Sequence, residues 1–297
     1  MLKLPSFAKI NWTLRVLGKR RDGYHEIATV LQSISLFDEL SFELREDNEI
    51  RLTCDDAAIP VDDSNLVVRA ARVLSSTHGV DIRLTKRIPA KAGLGGGSSN
   101  AAITLLALNR LWRLGFGEGE LRRVGSRLGA DVPFFFEGGT AVATGTGTRV
   151  EAARDFHRQY LIVITPNAAV STATAYASLN APSLTTSDPV SILSSSFTEP
   201  FSGDSSQWPL HNDFEGVIFE IEPEIRRAKL ALLDAGARGA LLAGSGSSVF
   251  GIFTDEAVRD QALDNLRCEA GWRVFACHTL SRSEYLQAIN QQSDTGA

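Results

Sequence analysis

The run Gly93-Leu94-Gly95-Gly96-Gly97-Ser98-Ser99-Asn100 constrains this chain more than any other segment. Ordering so many glycines costs conformational entropy that a plain turn has no reason to spend. Residues 80–88 before it alternate apolar and polar and predict a strand. Ala101–Leu114 behind it is rich in Ala and Leu, stops at Gly115, and predicts a helix capped by Ser98 or Ser99. Strand, glycine loop and helix N-terminus together make an anion site. Glycines let the backbone approach a ligand, and the first helical N–H groups point outward unpaired. Two common phosphate loops do not fit. No Lys stands before Ser98, as G-x-x-x-x-G-K-[ST] requires, and Ser98 occupies the last glycine of G-x-G-x-x-G counted from Gly93.

The remaining pattern predicts a mixed α+β architecture. Residues 39–54 alternate around Glu46-Asp47-Asn48 and read as a β-hairpin. Asp63-Ser64-Asn65 reads as the cap of a helix carrying Leu66, Val67, Ala70, Val73 and Leu74. A helix is expected over 118–128 and strand-like, glycine-dotted chain over 131–150. Tyr160–Thr165 is a short buried strand, and Pro223 opens a helix that ends near Gly236. Residues 240–253 read as strand, Gly-Ser-Gly turn and strand, followed by a helix over 255–270 and a strand over 272–278. The Ser-, Thr- and Pro-rich stretch 180–208 reads as an irregular excursion, and the tail from about 290 as frayed. Irregular alternation with hairpins favours α+β over a doubly wound parallel sheet.

Composition narrows the function classes. The 297 residues carry a net charge of -5, which argues against a nucleic-acid binder. Cys54, Cys268 and Cys277 form no C-x-x-C pair, so the expectation is reduced thiols in a cytoplasmic protein. The N-terminus lacks a signal-peptide core, and no run of about 18 apolar residues predicts a membrane span. No acidic cluster marks a metal site, so any Mg²⁺ is expected to arrive with a nucleotide.

Pro89-Ala90-Lys91-Ala92-Gly93-Leu94-Gly95-Gly96-Gly97-Ser98-Ser99-Asn100-Ala101-Ala102 resembles the phosphate-binding motif of the GHMP kinase superfamily. Its pattern is roughly P-x-x-x-G-L-G-S-S-A-A; this chain carries extra glycine before the serines. Ala8-Lys9-Ile10-Asn11 and Arg21-Asp22-Gly23-Tyr24-His25 resemble the A-K-[IL]-N and R-x-D-G-Y-H motifs of one branch. Gly129–Phe135 resembles the catalytic segment, and Leu242–Phe250 the third motif. The resemblance spans nearly the whole chain, in order. It implies two domains, 1–155 with a ribosomal-protein-S5-domain-2-like fold and 156–297 with a ferredoxin-like fold, and an active site in the cleft between them. It implies an ATP- and Mg²⁺-dependent kinase, monomer or homodimer, whose small-molecule acceptor in that branch is a cytidine diphosphate conjugate of methylerythritol.

The resemblance also assigns residues. Asp131 becomes the general base and Lys9 its cationic partner. On its own, Asp131 reads equally as a turn residue or buried ion, and Lys9 as a snorkelling surface lysine. Asn11, two residues beyond Lys9 on a strand, faces the same way and reaches for the substrate. Tyr24 and His25 suit a cytosine ring, by stacking and by hydrogen bonding to the base edge. Tyr176 is expected as a second aromatic wall, with Thr172 nearer the polar end. Pro89, Gly93, Leu94, Gly95, Gly96, Gly97, Ser98, Ser99 and Asn100 are expected to hold ATP. Ser98 is a possible Mg²⁺ ligand. Asn65, Leu66 and Lys86 are assigned to the adenine side. Without the resemblance they read as a helix start and an exposed strand end. Gly244, Ser245 and Gly246 are expected to close the cleft over the substrate diphosphate, and also read as a tight turn between strands. Homoserine-type and mevalonate-type kinases, or a non-catalytic protein on the same fold, are the competing readings.

Overall fold

In the computed structural model, which describes residues 1–75, 77–179, 181 and 210–291, the N-terminal half is organised by one long antiparallel pair. Strand β1 (Leu2–Lys19) runs against β2 (His25–Arg45) along almost their whole length. Both are rich in Val, Ile, Leu, Phe and Thr, which suit a pleated surface. Register shifts at Phe7/Ala8, Asn11/Thr13 and Val16/Gly18 bend the pair. The outer half of β2 pairs with β4 (Gly79–Thr85), and its inner half with β5 (Thr140–Gly145), which carries β6 (Arg149–Ala152). Helices α1 (Leu66–Leu74) and α2 (Gly96–Leu111) cover one face, burying Leu40, Phe42, Ile82 and Leu84 beneath Val67, Ala71 and Leu105.

The expected hairpin over 39–54 does not form. β3 (Ile50–Cys54) pairs in parallel with β4, which lies between it and β2. The chain at 46–49 instead arches over the start of β4. Val80 N donates to Glu49 O at 2.9 Å, and a Cβ on Gly79 would lie 2.2 Å from Asp47 O. A parallel pair needs a crossover, and α1 provides it. Helix α3 (Glu118–Leu128) falls where expected. The stretch 131–150 is not wholly strand-like: Phe134–Glu137 forms a helical turn, α4, ended by Gly138 at φ 64°.

The second sheet is antiparallel, in order β11 (Arg273–His278), β7 (Tyr160–Thr165), β10 (Val249–Phe253), β9 (Gly239–Leu242). β7, β9 and β10 read as nearly unbroken apolar runs because both of their faces are buried, whereas the edge strand β11 carries Arg273 and His278. Leu161, Val163 and Phe250 face Ala8, Ile10, Trp12 and Ile34 of the first sheet. Ile162, Ile164 and Val249 face the other way, toward α6 (Phe214–Ile221) and α7 (Pro223–Asp234). Helix α5 (Thr172–Ser178) and strand β8 (His211–Asn212), which joins the edge of β1, complete this half with α8 (Glu256–Asn265). The expected helix over 255–270 is therefore shorter. Of the expected excursion 180–208 only Ala181 is among the described residues; the tail beyond 291 also lies outside them.

The last helix, α9 (Arg282–Asn290), was not expected, although Ser281 and Glu284 form a capping box at its start. It returns to the first core. Tyr285 is fully buried beside Phe7, and its hydroxyl donates to Phe135 O at 2.6 Å. Gly138 makes the room, since a Cβ there would lie 2.0 Å from the Tyr285 ring. Tyr285→Ala is expected to cost about 3–5 kcal/mol of stability, and Tyr285→Phe about 1 kcal/mol, in urea unfolding followed by circular dichroism. Equal losses in the two variants would show that the ring does not anchor α9.

Candidate active site

The glycine loop and the start of α2 differ in one respect from expectation. The helix begins at Gly96, five residues before Ala101, and Gly95 is its N-cap at φ 71° with no side-chain cap. Neither serine caps the helix; both lie in its first turn. Ser98 faces a cavity of about 700 Å³, free of any capping duty. Ser99 and Asn100 turn inward, away from the cavity. Ser6 Oγ donates to Ser99 Oγ at 2.8 Å, and Asn100 Nδ2 donates to Ser6 Oγ at 2.9 Å and Asp38 Oδ2 at 3.1 Å.

Asp38 holds the base of this loop and was missed from sequence. It is fully buried and accepts from Lys86 Nζ at 2.7 Å, Arg87 N at 2.7 Å, Ile88 N at 2.8 Å and Asn100. Four donors compensate the loss of its hydration. A signal existed: Asp38, Leu40 and Phe42 alternate on the buried face of β2, where a lone carboxylate must be paired. Lys86 is thereby not an exposed strand end. Its side chain is 5% exposed and is spent on Asp38 and Ile88 O. Asn65 caps α1 through Val67 N at 2.9 Å, and Leu66 lies beside Gly97. The start of α1 thus borders the loop. Pro89 is buried at the loop entrance.

A second turn interlocks with the loop. A Cβ on Gly93 (φ 80°) would lie 1.9 Å from Ala243 O, and one on Gly246 would lie 2.1 Å from Gly93 N. Ser248 N donates to Ala92 O at 3.1 Å. The turn is pinned from behind by Asn212, also missed, whose Nδ2 donates to Leu242 O at 2.9 Å and Gly244 O at 2.8 Å. Asn212 follows an uninformative stretch and carried no sequence signal. Ser245 Oγ donates to Thr172 Oγ1 at 3.1 Å, which ties the turn to α5.

Lys9 lies between the two turns. Its amide donates to Leu94 O at 2.9 Å. Its buried ammonium donates to Asn11 Oδ1 at 2.9 Å and sits 3.5 Å from Asp131 Oδ2. Asn11 Nδ2 donates in turn to Thr29 Oγ1 at 2.8 Å, which donates to Thr13 O at 2.7 Å. The chain of donors fixes the ammonium, while Asp131, at 40% side-chain exposure, faces the cavity. The expected juxtaposition of Lys9, Asn11 and Asp131 is therefore present in the geometry.

The far wall is aromatic. His25 stacks on Tyr176 with centroids 4.7 Å apart, and Tyr176 meets the edge of Phe214 at 4.8 Å. Tyr24, 67% exposed, stands at the rim with no ring partner among the described residues. Burial, with Asp131 adding to it, pushes the Tyr176 phenol up to about 12, so it stays protonated. Burial and the nearby Lys19 charge lower the His25 imidazole below its usual 6.5, so it is neutral at pH 7.

The arrangement offers a helix N-terminus with a glycine cradle, a carboxylate beside an ammonium, and an aromatic wall in one cavity. Among the described residues no group of three or more His, Cys, Asp or Glu side chains could hold a metal. The Ser98 hydroxyl and the Asp131 carboxylate are among the oxygen-bearing side chains that line the cavity, a sparse set that would suit a Mg²⁺ carried in on a nucleotide and still largely hydrated.

Known proteins resemble this chain along most of its length. Residues 65–139 match the GHMP kinases N terminal domain, and residues 202–271 match GHMP kinases C terminal. The 4-diphosphocytidyl-2-C-methyl-D-erythritol kinase of Syntrophus aciditrophicus is 44% identical over 284 residues, covering 94% of this chain and 100% of the relative. A crystal structure of 4-(cytidine 5'-diphospho)-2C-methyl-D-erythritol kinase superposes with TM-score 0.77 at 32% identity, covering 94% of this chain and 99% of that one. Homoserine kinase from Cytophaga hutchinsonii, at 20% identity and TM-score 0.66, shares the fold.

His25 protonation has a definite sign. Its folded pKa lies below the unfolded 6.5, so its contribution is complete above that value and is lost as pH falls through 6.5 toward the folded pKa. Stability measured between pH 7.5 and 5 is expected to fall less steeply in His25→Gln than in the parent chain. Parallel curves would place the imidazole in water in both states.

Proposed function

Because this chain belongs to the 4-diphosphocytidyl-2-C-methyl-D-erythritol kinase family of GHMP kinases, we propose that its central cavity phosphorylates that acceptor through Asp131 and Lys9. The reaction is ATP-dependent phosphorylation of the acceptor's 2-hydroxyl, giving the 2-phosphate and ADP, a step of the methylerythritol phosphate route to isoprenoid precursors. Residues 1–155 hold ATP and residues 156–297 close the acceptor side, with α9 returning to the first unit.

The observation that carries the residue roles is the Lys9 Nζ to Asp131 Oδ2 separation of 3.5 Å, beside the mouth of the glycine loop. The acceptor hydroxyl lies against Asp131, which takes its proton as the oxygen attacks. The Lys9 ammonium, held by Asn11, offsets the negative charge that develops on the oxygens. Bound ATP supplies the phosphoryl group, and its accompanying Mg²⁺ neutralises phosphate charge. The amides of Gly95–Ser98 and the α2 dipole cradle the phosphates. Gly244, Ser245 and Gly246 close over the acceptor diphosphate, with Thr172 beside them. Tyr24, His25 and Tyr176 receive the cytosine. The neutral imidazole can accept as well as donate a hydrogen bond. A homoserine-type acceptor has no base and leaves this aromatic wall without a use.

A coupled ADP-release assay tests the reading, with the cytidyl acceptor, homoserine and mevalonate offered in parallel. Turnover is expected with the cytidyl compound alone; turnover with homoserine instead would overturn the acceptor. Asp131→Asn is expected to lower kcat about 100- to 10,000-fold with ATP affinity retained, and near-normal kcat would remove Asp131 as the base. Tyr24→Ala is expected to raise KM for the cytidyl acceptor about 5- to 150-fold and to spare KM for ATP. Equal increases would argue against base stacking.

A further inference from the structure

A second cavity, of about 490 Å³, lies where the two sheets diverge. It is bounded by Ser35, Leu36 and Phe37 of β2, by Lys86 and Arg87, and by Arg273 to Ala276 of β11. It shares no lining residue with the central cavity. The volume is within the range of small-molecule pockets, about 300–1,000 Å³.

Two of its cations are arginines, Arg87 and Arg273. Arg87 and Arg273 meet no carboxylate among the described residues. Each instead lies over an aromatic ring, Arg87 at 5.5 Å from the Phe37 centroid and Arg273 at 5.3 Å from Phe275. Arg273 Nη2 donates to Arg87 O at 2.9 Å, which holds the two segments together. The third cation, Lys86, is already committed to Asp38.

Held over its ring, the Arg87 guanidinium keeps its N–H donors for a phosphate, and Arg273 keeps those that Arg87 O does not take. Leu36, Phe37 and Phe275 offer apolar surface beside the two charges. We propose that this slot binds an organic phosphate with an apolar body, and that its occupancy acts on the glycine loop. The route is short. Arg87 N and Ile88 N both donate to Asp38, which also receives Asn100 of α2. A ligand that pulls on Arg87 therefore pulls on the strand end that leads into Pro89 and Gly93. Binding does not depend on the kinase reading. The effect on ATP does, and two separate readouts keep them apart.

The probe is 1-naphthyl phosphate, with inorganic phosphate and 1-naphthol as controls. Binding to the full chain is measured by calorimetry with the central cavity saturated by a non-hydrolysable ATP analogue. One-to-one binding of the naphthyl ester is expected, at least tenfold tighter than either control. Affinity should fall at least tenfold in the double variant Arg87→Ala/Arg273→Ala and less in Arg87→Lys/Arg273→Lys, which keeps charge but loses the fork. Unchanged affinity in the alanine variant, or no binding by the parent chain, overturns the site. Inorganic phosphate binding as tightly as the ester overturns the apolar part of the ligand. In the turnover assay the ester is expected to shift KM for ATP about fivefold or more, at the lower end of known couplings. A constant KM in a protein that binds the ester overturns the link to the loop.

Discussion

Two backbone turns from distant parts of the chain occupy almost the same space, and the cleft depends on it. Ala92-Gly93 and Ala243–Gly246 touch so closely that neither Gly93 nor Gly246 can carry a Cβ. The contact brings the end of β9 to the start of α2. It places Lys9 against Leu94 on one side and near Gly244 on the other. Glycine is required here for close approach, and at Gly93 also for its positive φ.

Around that contact, buried polar groups set positions that packing alone would leave loose. Asp38 joins β2, the strand end at Arg87–Ile88 and α2 through four donors. Lys9, Asn11, Thr29 and Thr13 form a directional chain beneath the cavity. A satisfied network of this kind rigidifies its members, because any rearrangement leaves a desolvated donor or acceptor unpaired. One end is left open to the cavity, at Asp131.

Much of the outline was legible in the sequence. α3, β7, β9 and β10 and the cap of α1 fall where periodicity and capping residues put them. The glycine run announced an anion site before any fold was known. Errors occurred where a local signal met a non-local contact. Residues 39–54 alternate like a hairpin, but the backbone around Asp47 and Glu49 seats on Gly79 and lets β4 insert. Ser98 and Ser99 look like caps, but Gly95 in the left-handed region starts the helix earlier. Lys86 looks exposed until Asp38 is placed opposite it.

The sequence by itself determined the residue types and local geometry: a glycine loop ahead of a helix, an i, i+2 pair of Lys9 and Asn11, and aromatic residues after Gly23. These follow from backbone sterics and from the periods of strand and helix, which act over a few residues. Only the tertiary structure decided that Asp131 stands 3.5 Å from Lys9, that His25 stacks on Tyr176, and that Arg87 and Arg273 share a slot. Those meetings join residues more than a hundred positions apart, and are set by how the two sheets bury Trp12, Ile34, Leu161 and Phe250 between them. Hydrophobic burial is non-directional, so its outcome is read from the assembled core and not from any local stretch of chain.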